Sequence, residues 1–128
     1  MSPELNLLVW ATALTLVQAL VAAMGATGQL GLPILAGNRE TLPAISGWAG
    51  RAQRAHRNML ESFVLFVALV LAAQLAGKTN AMTTLGAELF FWARLVYAVI
   101  YVMGIAWLRT GVWAVSMVGL VLIFLQLV

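Results

Sequence analysis

The sequence contains no cysteine and no aspartate, and its one histidine is His56. Each gap excludes chemistry. Without cysteine the chain has neither a disulfide nor a thiol nucleophile of its own, so any thiol chemistry has to arrive with a substrate. A single histidine does not assemble a zinc site of the usual Cys and His ligands, and a Ser-His-Asp triad or an aspartate pair lacks its carboxylate. Charge is scarce as well: 9% of the 128 residues are charged and 63% are apolar, against about a quarter charged in an average soluble domain. A soluble globular fold is thereby excluded. The carboxylates are Glu4, Glu40, Glu61 and Glu88, and the cations are Arg39, Arg51, Arg54, Arg57, Lys78, Arg94 and Arg109, for a net charge of +3. So small a surplus is not the basic face or stripe that nucleic acid demands. It reads as membrane topology and anion binding, with no nucleic-acid partner.

What is present in quantity is apolar sequence in runs. A bilayer core needs about 20 apolar residues per helical span, so the length fits four spans and their connections in one domain, 1–128. The first run extends from Leu5 to about Thr27. No basic residue precedes it, so it is expected to stay in the mature protein and not to be cleaved as a signal peptide. Gln29 to about Trp48 reads as a loop, punctuated by Gly31, Pro33, Gly37, Asn38, Pro43 and Gly47. A helix then starts near Ala49 with a charged front end, RAQRAHRNMLES, and its apolar body, the second span, runs from about Met59 to Ala76. Gly77 to Thr83 is a short turn, and a third span covers about Thr84 to Met103. Gly104 to Arg109 is a tight connection, and Thr110 opens a last span that runs to the C-terminus. The fold class expected is an all-α membrane protein, a four-helix transmembrane bundle. Arg39, Arg51, Arg54, Arg57 and Arg109 fall on one side of such a bundle and Lys78 on the other. The positive-inside rule therefore puts the arginine side in the cytoplasm and both termini outside.

The residues that bear chemistry fall into register. At 100° per residue, Arg51, Arg54, Arg57, Asn58 and Glu61 project within an arc of roughly 120° on the second helix, and His56 points almost opposite, as a packing or interfacial residue would. Juxtamembrane arginines also snorkel to lipid phosphates. A carboxylate inside a span, such as Glu61, is costly unless paired and marks a functional site by default. On the third helix Arg94, Tyr97 and Tyr101 lie within about 60° of one another. Arg94 is deep in its span, and Glu61 is the expected counter-charge, in a functional or a purely structural pair. Tyr97 and Tyr101 suit either the site or an interfacial aromatic belt. Glu88 points elsewhere on the same helix and reads as structural. Arg109 and Thr110 open the last helix, where free N–H groups favour an anion and Thr110 can also serve as the N-cap. Three helices thus present Arg, Asn, Tyr and Thr donors at one depth with one carboxylate among them. That set suits a small, multiply charged anion that also carries an amine.

The segment RAQRAHRNMLE, with its R-A-x-x-N-x-x-E core at Arg54, Ala55, Asn58 and Glu61, resembles the signature of the MAPEG family, membrane-associated proteins in eicosanoid and glutathione metabolism. FWARLVYAVIYVMGIAWLRT, Phe91 to Thr110, stands where such a chain carries its second motif, and the closest likeness is to small bacterial members. The resemblance implies a homotrimer in the bacterial inner membrane, with glutathione as cosubstrate held between subunits near the cytoplasmic side. It implies glutathione-binding roles for Arg54, Arg57, Asn58, Glu61, Arg94, Tyr97 and Tyr101, and catalytic roles at the thiol for Arg109 and Thr110. The activity implied is a glutathione transferase or peroxidase working on lipophilic small molecules or lipid hydroperoxides. A noncatalytic protein that binds lipid or a hydrophobic partner, with the polar cluster structural, is the other reading of the same residues. A channel or transporter is less well matched, because the charges gather at one side and no span is broken midway.

Overall fold

The computed structural model describes residues 1–38 and 42–128, so Arg39 and Glu40, which enter the charge argument above, lie outside the described residues. Five helices follow in order: α1 (Pro3–Leu30), α2 (Leu32–Ala36), α3 (Gly47–Leu75), α4 (Ala81–Met103) and α5 (Ala106–Leu127). Four of them, all but α2, are long and apolar enough to cross a membrane. Among the described residues there is no strand. The expected loop between the first two spans contains one short helix, α2, where Pro33 occupies the first turn and so forfeits no intrahelical bond. The long helices also start earlier than hydropathy alone indicates, α3 by two residues at its front, and α1 runs on to Leu30.

Around the bundle, α1 packs on α3, α3 on α5, α5 on α4 and α4 on α1, while α3 and α4 also touch across the middle and α1 and α5 do not meet. The cross-section is therefore a rhombus with α3 and α4 on its short diagonal. Its core is small and tightly filled: Met59, Phe66, Val70, Phe90 and Ile123 are fully buried, and the Phe66 and Phe90 rings stack at 4.2 Å. Glycine sets the closest approach. A Cβ on Gly119 would fall 2.5 Å from the Gly86 carbonyl oxygen, and one on Gly86 would fall 2.6 Å from that of Gly119, so α4 and α5 meet backbone to backbone. The outward surface is apolar, with Trp10, Leu20, Val64, Trp92 and Phe124 all more than half exposed. In water such a surface would be a large sticky patch; in hydrocarbon it has nothing to lose.

Both ends of the bundle are tied by polar side chains. At the end carrying the N-terminus, Glu4 is 2% exposed and accepts hydrogen bonds from Thr83 Oγ1 at 3.1 Å and Thr84 Oγ1 at 2.5 Å. Asn80 caps α4, Asn80 Nδ2 donates to Gln126 Oε1 at 2.8 Å, and Ser2 Oγ donates to Gln74 Oε1 at 2.8 Å, so all four long helices join this clasp. At the other end Gln29 uses both halves of its amide on Ser46, donating to its carbonyl at 2.7 Å and accepting from its N–H at 3.0 Å. The start of α3 is thereby pinned to the end of α1.

Candidate functional site at the basic end

The chain turns from α4 into α5 in two residues. Gly104 adopts the left-handed conformation at φ 85°, and Gly104 N–H to Tyr101 and Ile105 N–H to Ile100 close the end of α4. Ile105 consequently stands at the N-cap of α5, and the helix starts at Ala106. This corrects the expectation that Thr110 opens and caps the last helix. Thr110 lies in the second turn, its hydroxyl 3.5 Å from the Ala106 carbonyl, and the free N–H groups of the helix start belong to earlier residues. Arg109 and Thr110 still face the bundle cleft, one helical turn deeper than a cap would place them.

That cleft, between α3 and α5 with α4 behind it, holds a cavity of about 250 Å³ lined by Asn58, Tyr97, Arg109, Thr110 and Trp113. Four of these five are residues singled out from the sequence, drawn from three helices. Trp113 was not singled out, and its place one turn beyond Arg109 on the same face is the signal that could have found it. The Tyr97 and Tyr101 rings meet at a tilt of 57°, with 5.5 Å between ring centres. The Arg94 guanidinium lies 4.2 Å over the Tyr97 ring and that of Arg109 lies 4.4 Å over the Tyr101 ring. Two cation–π contacts and one aromatic pair therefore form a ladder from the interior of α4 to the start of α5.

The expected ion pair between Glu61 and Arg94 is not formed. Arg94 is 1% exposed, yet its Nε, Nη1 and Nη2 have no hydrogen-bond partner, and the Asn58 Oδ1 is buried without a donor. Arg94 instead folds onto Tyr97, its neighbour three residues along the same helix, while Glu61 lies on an exposed face of α3. Arg54 and Arg57 share that exposed face and make no hydrogen bond or ion pair among the described residues. Arg51 has a different fate from its neighbours: its Nε donates to the Val102 carbonyl at 2.8 Å, satisfying one of the unpaired carbonyls at the end of α4. His56 is half-buried on the far face of α3 in a separate cavity with Gln53, Thr27 and Ile45, as its angular position indicates.

Buried donors with no partner and a buried acceptor with no partner indicate what would fit. Arg94 asks for an anion such as a carboxylate and Asn58 for an N–H donor. A cavity of 250 Å³ lies below the range usual for a whole drug-sized ligand, about 300–1,000 Å³.

Fold and site together define a four-span integral membrane protein with a cluster of arginines and tyrosines at one end of the bundle. The family is defined as well: the model of the MAPEG family matches residues 7–128, and the chain belongs to that family, whose members include glutathione transferases and peroxidases. No curated protein and no solved structure matches the chain.

Proposed function

We propose that this protein is a membrane-bound glutathione-dependent transferase or peroxidase that acts on lipophilic electrophiles or lipid hydroperoxides. The observation that carries the reading is the orphaned guanidinium of Arg94 beside the cavity that Asn58, Tyr97, Arg109 and Thr110 line. Arg54, Arg57, Asn58, Glu61, Arg94, Tyr97 and Tyr101 hold the tripeptide, and Arg109 and Thr110 attend its sulfur. A free thiol has a pKa of about 8.5, and an adjacent guanidinium and hydroxyl both favour the thiolate. In the transferase reaction the thiol proton is lost, a carbon–sulfur bond forms, and the displaced group leaves with the electron pair of the broken bond. In the peroxidase reaction two glutathiones are oxidised to their disulfide while the hydroperoxide is reduced to alcohol and water.

The active form is a homotrimer in the bacterial inner membrane, with the basic end in the cytoplasm and both termini outside. The exposed Glu61, which lies within the span, with Arg54 and Arg57 on the same face, supports an assembly, because a carboxylate there is costly against lipid unless it is paired. A noncatalytic reading is favoured by one observation, the use of Arg51 as a tie for α4, which shows that an arginine of this cluster serves the fold.

Calorimetric titration of glutathione into wild-type and Arg54→Ala protein, with oligomer mass measured on the same samples, tests the proposal. Saturable binding to the wild type that is lost in a still-assembled variant is expected, together with turnover that Arg109→Ala abolishes. A well-assembled wild type that takes up no glutathione would leave a lipid- or partner-binding protein.

A further inference from the structure

The groove between α4 and α5 on the outer side of the bundle has a volume of about 390 Å³ and a single charged residue, Glu88, among Leu85, Trp92, Val112 and Val115, with buried Ala93 beneath. Glu88 is exposed and makes no hydrogen bond or ion pair among the described residues. It stands seven residues into α4, about 10 Å along the axis at 1.5 Å per residue, inside a helix long and apolar enough to span. A charge at that depth needs a partner.

None of the described cations reaches it. Lys78 is at the turn before α4, with its Nζ on the Leu127 carbonyl at 3.2 Å. Arg94 is six residues on, about 9 Å deeper and about 120° round the helix, and is buried against Tyr97. Arg51, Arg54, Arg57 and Arg109 are at the opposite end of the bundle. A second copy in the same membrane orientation carries the same charges at the same depths, so neighbouring copies bring no cation to Glu88 either. The complement has to come from the membrane itself, as a molecule that is apolar enough to enter the groove and positively charged at one point.

We propose that the α4–α5 groove is a second binding site, for a lipophilic cation whose apolar body lies along Val112 and Val115 and whose charge rests against Glu88 beside the Trp92 ring. The carboxylate supplies the charge complement, and the indole adds a face that attracts cations in a desolvated setting. This site is separate from the cleft of Asn58, Tyr97 and Arg109, and its existence does not rest on the glutathione reading.

The test is binding of tetraphenylphosphonium to the full chain in lipid nanodiscs, with the isosteric anion tetraphenylborate as control. Saturable uptake of the cation is expected, weakened by about tenfold or more in Glu88→Gln and equally in Val112→Trp, which fills the groove and leaves the carboxylate in place. Tetraphenylborate does not compete, and glutathione titrations are unchanged in both variants. Glu88→Gln keeps the shape of the side chain, so its result stands even if the tryptophan variant fails to assemble. Uptake that does not saturate, that is the same in Glu88→Gln, or that tetraphenylborate matches overturns the proposal, as does a cysteine cross-link showing Val115 covered by a neighbouring copy.

Discussion

Arg94→Met is expected to stabilise the ligand-free protein and to lose most or all of that advantage when glutathione is present. In the ligand-free protein Arg94 is 1% exposed and none of its three nitrogens has a hydrogen-bond partner. An unpaired buried cation carries an effective desolvation penalty of several kcal/mol. What offsets it is the Tyr97 ring at 4.2 Å, worth about 1–2 kcal/mol when desolvated. Methionine removes the penalty, gives up the ring contact and leaves a modest packing defect of about 1 kcal/mol. The net expectation is a ligand-free variant more stable than wild type by about 1–3 kcal/mol.

With glutathione at a hundred times its Kd, the wild type gains about 2.7 kcal/mol. Deleting one partner of a buried charged hydrogen bond costs about 2–3 kcal/mol of affinity, close to a hundredfold. At the same glutathione concentration the variant then gains only about 0.4 kcal/mol, and its advantage over wild type shrinks to nothing or reverses. Thermal unfolding followed by the fluorescence of the five tryptophans, with and without glutathione, measures all four quantities. The reasoning is refuted if Arg94→Met is less stable than wild type without glutathione and the glutathione shift persists. That pattern would mean that the protein supplies the counter-charge itself, for example from Glu61 of another copy.

Three further substitutions probe the frame around the site. Gly119→Leu forces a side chain into the α4–α5 crossing, where even a Cβ would lie 2.5 Å from the Gly86 carbonyl oxygen; a loss of about 1–3 kcal/mol or more is expected as a lower unfolding midpoint. Gly28→Ala is the matched control, since nothing lies within 4 Å of the added Cβ, and it should be neutral or stabilising by up to about 1 kcal/mol. Arg51→Ala removes the 2.8 Å bond to the Val102 carbonyl and should cost about 1–2 kcal/mol of stability while glutathione binds as before. A glutathione affinity that falls as far in Arg51→Ala as in Arg54→Ala would return Arg51 to the ligand.

The four spans and the faces of α3 and α4 were legible because hydropathy and helical period act within one segment. Asn58, Tyr97 and Arg109 meet at one cavity as their angular positions imply. Contacts between segments were not legible. Glu4 finds Thr83 and Thr84 some eighty residues away, and no local pattern marks that pairing. The angular argument placed Arg94 and Glu61 on facing sides but carried no distance, and the nearer ring of Tyr97 won. At the start of α5 the usual preference for a hydroxyl cap pointed to Thr110, whereas the left-handed Gly104 lets the helix restart behind Ile105 without any capping side chain.

The arginines of the basic end differ in which part of the guanidinium is already engaged. A hydrogen bond uses an in-plane N–H, as Arg51 does at Val102, and that donor is then closed to a ligand. Stacking on a ring uses the flat face and leaves the in-plane fork unspent. Arg94 over Tyr97 and Arg109 over Tyr101 are held in this second way, so both are fixed in position and keep their donors. Fixed, unspent donors are what preorganised stabilisation of an anion requires. Of the two, Arg109 lines the cavity and is partly exposed whereas Arg94 is buried, so under the proposed function the group that reacts would belong beside Arg109 and the group that anchors would belong at Arg94. The tyrosines matter to this division as supports: they hold two cations at the ends of one ladder, with their ring centres 5.5 Å apart, and under the proposed function they would set the distance between anchor and thiol.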